Sequence, residues 1–440
     1  MTLASTSFIS NVASGLIENG HRVKVIVMGK PAVCIGDSMP GLEVTSLFDN
    51  VPGPKLLDVT SAKRLGIAVS ADYSVSKQSW FAELLLYKKL QTMKGQSNEN
   101  GLILCYSRSD ATMGVASNVA GLIGWSLGAF ATEALTDNQI NPLTREHYID
   151  LVRTKTDFLW ATSHYLQKYW TNYGYPSDRI FMNYSVVDCR NFELVHKSSY
   201  VVDGVFTGNL GSRYIAELLR VIDIAKRKKP DIVVEAYGDA LAGDVATLSD
   251  KIRCMGLQGS VILKPSVPPA KIPEILASGR LLLAPVSEEN RAGHMAPHKI
   301  AEYFAAGGLV IASDVGDLSE MFESGEDCFL AKSTEEFAAM VVNALNLSDE
   351  QRHVIGERGR EHAAYYMDAK VVTERLLRFQ GPLTQRDRAR KGRGASLVDV
   401  LKWYKDYRKK ADKPMISSVL WFKRAVVTLL RKLKLKKPLQ

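Results

Sequence analysis

The sequence predicts an α/β protein with two doubly wound parallel-sheet domains facing a cleft, followed by a basic helical tail. Three observations carry this expectation. Short apolar runs alternate with amphipathic, helix-length stretches along most of the chain, the pattern of β-α units with parallel strands. The chain has 440 residues, 46% of them hydrophobic, with 32 Gly and 16 Pro, enough for two or three domains and too apolar for a disordered or collagen-like chain. Its charge is uneven: residues 386–440 hold 18 Lys or Arg against 4 Asp or Glu, a surplus of +14, and the remainder carries a net −5.

The candidate strands fall into two series. The first comprises 22–29, 101–107, 127–133, 157–163 and 179–187; the second comprises 201–208, 231–238, 260–267, 280–287, 309–316 and 328–332. Helix-length segments at 214–228, 241–256, 297–306 and 334–346 separate the strands of the second series. Each series is long enough for its own sheet. The polar stretch from Glu193 to Ser199 reads as the hinge between them, so the expected domains are 1–197 and 198–364, with 365–385 returning as a helix and 386–440 as the tail. One irregularity stands at the start. Phe8, Ile9, Val12, Leu16 and Ile17 mark a helix stopped by Gly20, with no strand before it. The first strand of a doubly wound sheet usually sits centrally, so the expectation is a start upstream, the alternative being that another segment fills the central position.

Charge and cysteines narrow the function classes. No basic run with interleaved aromatics occurs before residue 386, which argues against nucleic acid as a partner. The five cysteines, Cys34, Cys105, Cys189, Cys254 and Cys328, form no CxxC pair and no metal-ligand spacing to a His, so a reducing cytosol is expected and no metal. Neither a signal peptide nor a membrane-spanning run is legible. A nicotinamide-dinucleotide enzyme is disfavoured because no GxGxxG follows a candidate strand.

The most informative segment is residues 287–330. A strand ends at Val286, a loop carries Arg291, Gly293 and His294, and a helix beginning near Pro297 carries Lys299 and Glu302. Proline at the first helical position and the free amides of Met295 and Ala296 suit an anion, and a diphosphate fits. Lys299 adds a point charge, and Glu302 can accept hydrogen bonds from paired sugar hydroxyls. Taken singly, each of these residues is more often a solvated or structural side chain. Their coincidence at one strand-to-helix junction, where α/β sheets bind ligands, points to a nucleotide sugar.

PHKIAEYFAAGGLVIASDVGDLSE, residues 297–320, resembles the donor-binding region of the retaining GT-B glycosyltransferases of the group 1 family. Further blocks agree: SNVASGLIENGHRVKVIV, TDFLWATSHYLQKYW, IFMNYSVVDCRNF and VFTGNLG, so the resemblance covers roughly residues 5 to 380. It implies a GT-B fold of two Rossmann-like domains and transfer of a sugar from a nucleotide-sugar donor to a glycan or lipid-linked glycan, with retention at the anomeric carbon. By position, Glu302 matches the carboxylate implied to hold the nucleotide ribose. His294 stands where the family often has a Glu that contacts the donor sugar, which gives it a candidate catalytic role and leaves the sugar open. Gly208, Asn209 and Gly211 match the family's glycine loop, with Asn209 replacing a common Arg; Arg213, Arg291 or Lys299 then supplies the cation. Gly238, ending the next strand, joins the donor-binding set. The other reading of GNLG is a plain βα turn. Glu133, at a strand end of the first sheet, is the acceptor-facing catalytic candidate, its alternative being an ion pair with a neighbouring Arg. Ser107 and Arg108, with Ser109, are candidates for acceptor hydroxyls.

No defensible carboxylate pair appears for a covalent route, so a front-face transfer without a metal or other cofactor is expected. The tail from Met415 to Lys437 has seven Lys or Arg and no acid; Val419, Phe422, Val426, Leu429 and Leu433 share a helical face, with Arg424, Thr428 and Arg431 opposite. That pattern fits an anionic membrane surface, or docking on the body or on a partner helix. The expected location is cytoplasmic and peripheral to the membrane. Two further readings remain: a nucleotide-sugar epimerase of the same fold, and a non-catalytic scaffold.

Overall fold

The computed structural model describes residues 3–27, 40, 42–47, 86–87, 89–93, 101–107, 110–132, 134–135, 142–193, 200–210, 213–239, 242–287 and 298–388. Residues 1–392 form one compact unit and 393–440 a second, whose residues lie outside the described set from 393 onward, so the tail expectation falls there too. No helix among the described residues is long and apolar enough to cross a membrane.

In the C-terminal half, β7 (Val202–Thr207), β8 (Val234–Tyr237), β9 (Val261–Lys264), β10 (Gly279–Ala284), β11 (Leu309–Ser313) and β12 (Phe329–Ala331) form an all-parallel sheet in the order β12-β11-β10-β7-β8-β9. The first strand of this half is central and later strands add on both sides, as the doubly wound expectation requires. β10 and β11 are apolar runs because helices cover both faces: Leu281 to Ala284 and Leu309 to Ser313 are all buried. Each expected strand of this series is present and ends short of its expected carboxyl limit, and β10 begins one residue earlier than expected.

The N-terminal half differs from a single sheet. β3 (Leu102–Cys105), β4 (Ser126–Ala131), β5 (Phe158–Ala161) and β6 (Ile180–Met182) are parallel in sequence order, while among the described residues β1 (Val23–Val27) pairs only with β2 (Leu42–Ser46). Among the described residues, β1 and β2 thus form a sheet separate from that of β3 to β6. The opening helix, Leu3–Glu18, runs beyond its expected limits and buries Phe8 and Val12 against Phe130, Trp160 and Phe181 of the sheet and against Ala369, Val372 and Leu376 of the closing helix, Ala369–Arg388. Burying Phe8 this completely stabilises by about 1.5–3 kcal/mol. The closing helix thus returns from the C-terminal half onto the N-terminal one.

The chain passes between halves at two places, and these are stitched together. Val187 donates its amide to the Met367 carbonyl (2.9 Å), and Ala369 donates to the Val187 carbonyl (2.8 Å). Beside this, Ser14 of the opening helix and Arg190 donate to the Asp188 carboxylate at 2.7 Å each. Burial pushes Asp188 up, but the bonds from Arg190 and Ser14 and the charge of Arg190 outweigh it and hold the carboxyl below its ordinary range. The hinge expected at 193–199 lies largely outside the described residues.

Candidate functional site at the junction of the two halves

The site helix spans Lys299–Ala305 and follows β10 at the carboxyl edge of the C-terminal sheet. Its first residue is two positions later than Pro297, the expected start, and Pro297 itself lies outside the described residues. Ile300, Ala301, Tyr303 and Phe304 bury its inner face, which leaves Lys299 and Glu302, three residues apart, together on another. Two bonds tie the helix to the end of β7: the Tyr303 hydroxyl accepts from the Thr207 amide (2.7 Å) and from its hydroxyl (3.2 Å).

Lys299 folds back over β7. Its Nζ lies 3.5 Å from the centroid of the Phe206 ring and donates to the Thr207 carbonyl at 3.1 Å. A cation–π contact of this kind is worth about 2 kcal/mol when desolvated. Burial nevertheless pushes the ammonium well below its usual pKa, with the charge of Glu302 pulling it partly back. Glu302 is the mirror case. Burial raises its carboxyl, while a hydrogen bond from the Ser7 hydroxyl (2.9 Å) and the Lys299 charge oppose the rise. Both groups therefore sit in low-dielectric surroundings, the condition in which an arriving anion or diol makes strong contacts.

The Gly208 loop completes this corner. Gly208 has φ +146, a conformation open to glycine, and its amide donates to the Tyr237 carbonyl (2.9 Å). A Cβ on Gly208 would stand 3.8 Å from the Lys299 Nζ, so loop backbone and ammonium face one small space. Gly238 meets the same loop from behind: a Cβ there would fall 1.6 Å from the Gly208 carbonyl oxygen. Its place in the donor-binding set is thus through the shape of the loop. Asn209 is exposed at the loop's outer side, while the buried Leu210 anchors the loop through its amide to the Asp239 carbonyl (2.9 Å).

Several expected residues are not placed. Arg108, Glu133, Gly211, Arg291, His294, Met295 and Ala296 lie outside the described residues, as does the Arg213 side chain, although Arg213 opens the helix Arg213–Lys226. Ser107, at the end of β3, accepts a bond from the Tyr148 hydroxyl on its carbonyl (2.7 Å). The structure brings Gly208, Gly238, Lys299 and Glu302 to one corner, and Ser107 to the carboxyl end of the other sheet.

Sequence reasoning missed the residues that join the halves. Ser7 reaches Glu302 across 295 positions of chain. His298 stacks near Phe8 (5.0 Å between ring centroids) and its Nδ1 shares a hydrogen bond of 2.8 Å with the Ser185 hydroxyl. Burial pushes the His298 pKa down to about 4, so the ring is neutral near pH 7 and one of its nitrogens accepts. A third junction pairs His164, the first residue of the helix His164–Asn172, with Asp317 and Glu320 after β11. Only the polar text of NYSVVD and the His beside Lys299 offered any signal for these contacts.

Comparison with known proteins adds to this geometry. Residues 220–378 match the family model described as Glycosyl transferase-like. A search of curated protein sequences finds no match. Among solved structures, HepE from Anabaena in complex with UDP and glucose is similar at 17% identity and TM-score 0.60, covering 86% of this chain and 96% of its own. Sucrose-phosphate synthase from Thermosynechococcus elongatus is similar at 11% identity and TM-score 0.62, covering 86% and 93%. The pneumococcal O-GlcNAc transferase GtfA, in complex with UDP and GlcNAc, is similar at 15% identity and TM-score 0.51, covering 68% and 60%. The comparisons thus give a glycosyl transferase-like match over residues 220–378 and a GT-B fold over both halves.

Proposed function

We propose that this protein is a retaining glycosyltransferase that moves a sugar from a nucleotide-sugar donor to a glycan or a lipid-linked glycan, in polysaccharide or glycolipid assembly. The observation that carries the reading is the meeting of the Gly208 loop, the Lys299 ammonium and the Glu302 carboxylate at the carboxyl edge of the C-terminal sheet. Glu302 accepts from the ribose hydroxyls, taking them in place of or beside Ser7. Lys299 leaves the Thr207 carbonyl for the diphosphate, whose charge restores the ammonium's proton affinity. The complexes of HepE and GtfA with UDP support a uridine nucleotide as the first candidate.

In the transfer the acceptor hydroxyl attacks the anomeric carbon from the face the diphosphate leaves. The new carbon–oxygen bond forms as the bond to phosphate breaks, and the acceptor proton passes to the departing phosphate oxygen. Negative charge grows on that phosphate, so fixed cations and backbone amides lower the barrier. In this reading Lys299 is the cation, with Arg213, Arg291, Met295 and Ala296 proposed for the same task, His294 for the sugar, and Glu133, Ser107 and Arg108 for the acceptor. No metal takes part in this step, and turnover that persists in EDTA is expected.

The test is a thermal-shift screen against UDP, GDP, ADP and their sugars, since binding to the native state raises its stability. One nucleotide series should shift the wild type and not Glu302→Gln. The product's anomeric configuration, read by proton NMR, then decides retention, and donor consumption without an acceptor would favour the epimerase reading. For the tail, removal of residues 411–440 should abolish binding to anionic vesicles; unchanged binding would rule out the membrane role.

A further inference from the structure

His164, Asp317 and Glu320 come from opposite halves of the molecule and take no part in the chemistry above. His164 follows the cap residue Ser163 at the end of β5, while Asp317 immediately precedes, and Glu320 lies within, the short helix Leu318–Met321 after β11. Their spacing of three places both carboxylates on one face of that turn. The His164 Nδ1 lies 3.4 Å from Asp317 Oδ2 and 3.0 Å from Glu320 Oε2, and the three donor atoms lie within 4.8 Å of one another.

We propose that these three side chains bind one divalent cation of the borderline class, Zn²⁺ foremost, as a clamp between the N-terminal and C-terminal halves. One imidazole nitrogen and two carboxylate oxygens make a three-ligand set that leaves a fourth position for water. Donors about 2.1 Å from a tetrahedral ion stand about 3.4 Å apart, so the 3.4 and 3.0 Å separations from the His164 Nδ1 need little adjustment to accept it. The site is also preorganised. Asp317 Oδ2 accepts the His164 backbone amide at 2.7 Å, which fixes the carboxylate as an outer bond fixes a metal ligand. The His164 ring stands edge-on to Tyr184, with centroids 6.4 Å apart. The Asp317 side chain is 8% exposed, whereas those of His164 and Glu320 are 50% and 58% exposed, giving an ion a path in from solvent. Two carboxylates around one imidazole carry more negative charge than a protonated ring can neutralise, and a divalent ion balances them.

The experiment uses the full chain after EDTA treatment, in a Cys254→Ser background so that this exposed thiol does not compete. Co²⁺ is titrated as a spectroscopic probe and then displaced with Zn²⁺. One equivalent of Co²⁺ should give the visible bands of a tetrahedral site, Zn²⁺ should remove them, and Zn²⁺ should raise the thermal midpoint of the stripped protein. His164→Ala and Glu320→Gln should lose both effects while keeping UDP binding, because neither residue belongs to the donor corner. Glu320 is exposed, so its variant tests the site without threatening the fold. Turnover in EDTA continues, since the ion clamps and does not catalyse. No Co²⁺ bands in the wild type, or a Zn²⁺ shift equal in wild type and both variants, would overturn the proposal and leave the trio as a direct ion pair between the halves. Either result leaves the nucleotide-sugar reading standing on its own test.

Discussion

His298 shows how a single buried ring makes stability depend on pH. Its folded pKa of about 4 lies below the ordinary 6.5, so between those values the unfolded chain binds more protons than the native one. Stability from this residue is therefore complete above about pH 6.5 and is lost as pH falls toward 4. Between about pH 7 and pH 5 the loss amounts to about 2 kcal/mol. His298→Asn keeps a polar group for the Ser185 hydroxyl but cannot titrate, so urea unfolding at the two pH values should show a smaller difference in the variant. Lys299 gives a second residue-scale prediction, in which activity and stability move apart. Lys299→Met removes the ammonium that burial disfavours and keeps most of the contact with Phe206. Turnover should fall by about 10²-fold or more, as for loss of a charge-stabilising donor, while the unfolding free energy of the unliganded protein is unchanged or higher. A variant with full turnover would contradict the role given to Lys299.

The elements were the most legible part of the fold, for a local reason. Buried parallel strands read as apolar runs, and β10 and β11 are buried along nearly their whole length, so LLLA and LVIA announced themselves. β2 did not. Its five residues, LEVTS, alternate over only the first four positions and, among the described residues, pair with β1 alone, so the run is too short to stand out. Lys299 and Glu302 were legible because they are three residues apart on one helix. The contacts of Ser7, His298 and His164 were not, because each links segments more than a hundred positions apart and no periodicity encodes such a pair. The crossing of the opening and closing helices is likewise invisible in sequence, yet Gly15 makes it possible. A Cβ at Gly15 would fall 2.0 Å from the Ala369 carbonyl oxygen and 2.6 Å from the Thr373 hydroxyl oxygen. Asn19, one turn on, donates to the Lys370 carbonyl and the Thr373 hydroxyl, at 2.9 Å each. Gly15→Val must therefore force two helices apart, and overpacking of this kind costs about 1–3 kcal/mol. A lowered thermal midpoint with weakened nucleotide binding is expected, since the same helix carries Ser7 to Glu302. Unchanged midpoint and binding would mean that the helices do not cross here.

At the scale of the whole molecule, stability is distributed unevenly between the two halves. The six-stranded sheet of the C-terminal half is covered by helices and joined to the returning chain at Val187 and Met367, so its amides open only with much of the structure around them. The N-terminal half is in two parts. β4 and β5 are nearly all buried, but the first four residues of β1 and the first three of β3 are only partly so. A two-stranded sheet is marginal by itself, and β1 with β2 reaches the core through Ile26 and the adjoining Leu47, in a small cluster with Val115, Val119 and Trp125. Native-state hydrogen exchange followed by mass spectrometry should therefore rank the strands. Peptides covering β1 and β2 exchange first and β3 next, whereas β4, β5, β10 and β11 exchange last. UDP should slow exchange in β7, the Gly208 loop and the site helix, and also in the opening helix, because Ser7 meets Glu302 there. The β1–β2 pair gains protection only so far as the opening helix passes it on. Protection of β1 equal to that of β4 in the free protein would mean that the two sheets of the N-terminal half are equally stable, and would overturn this ranking.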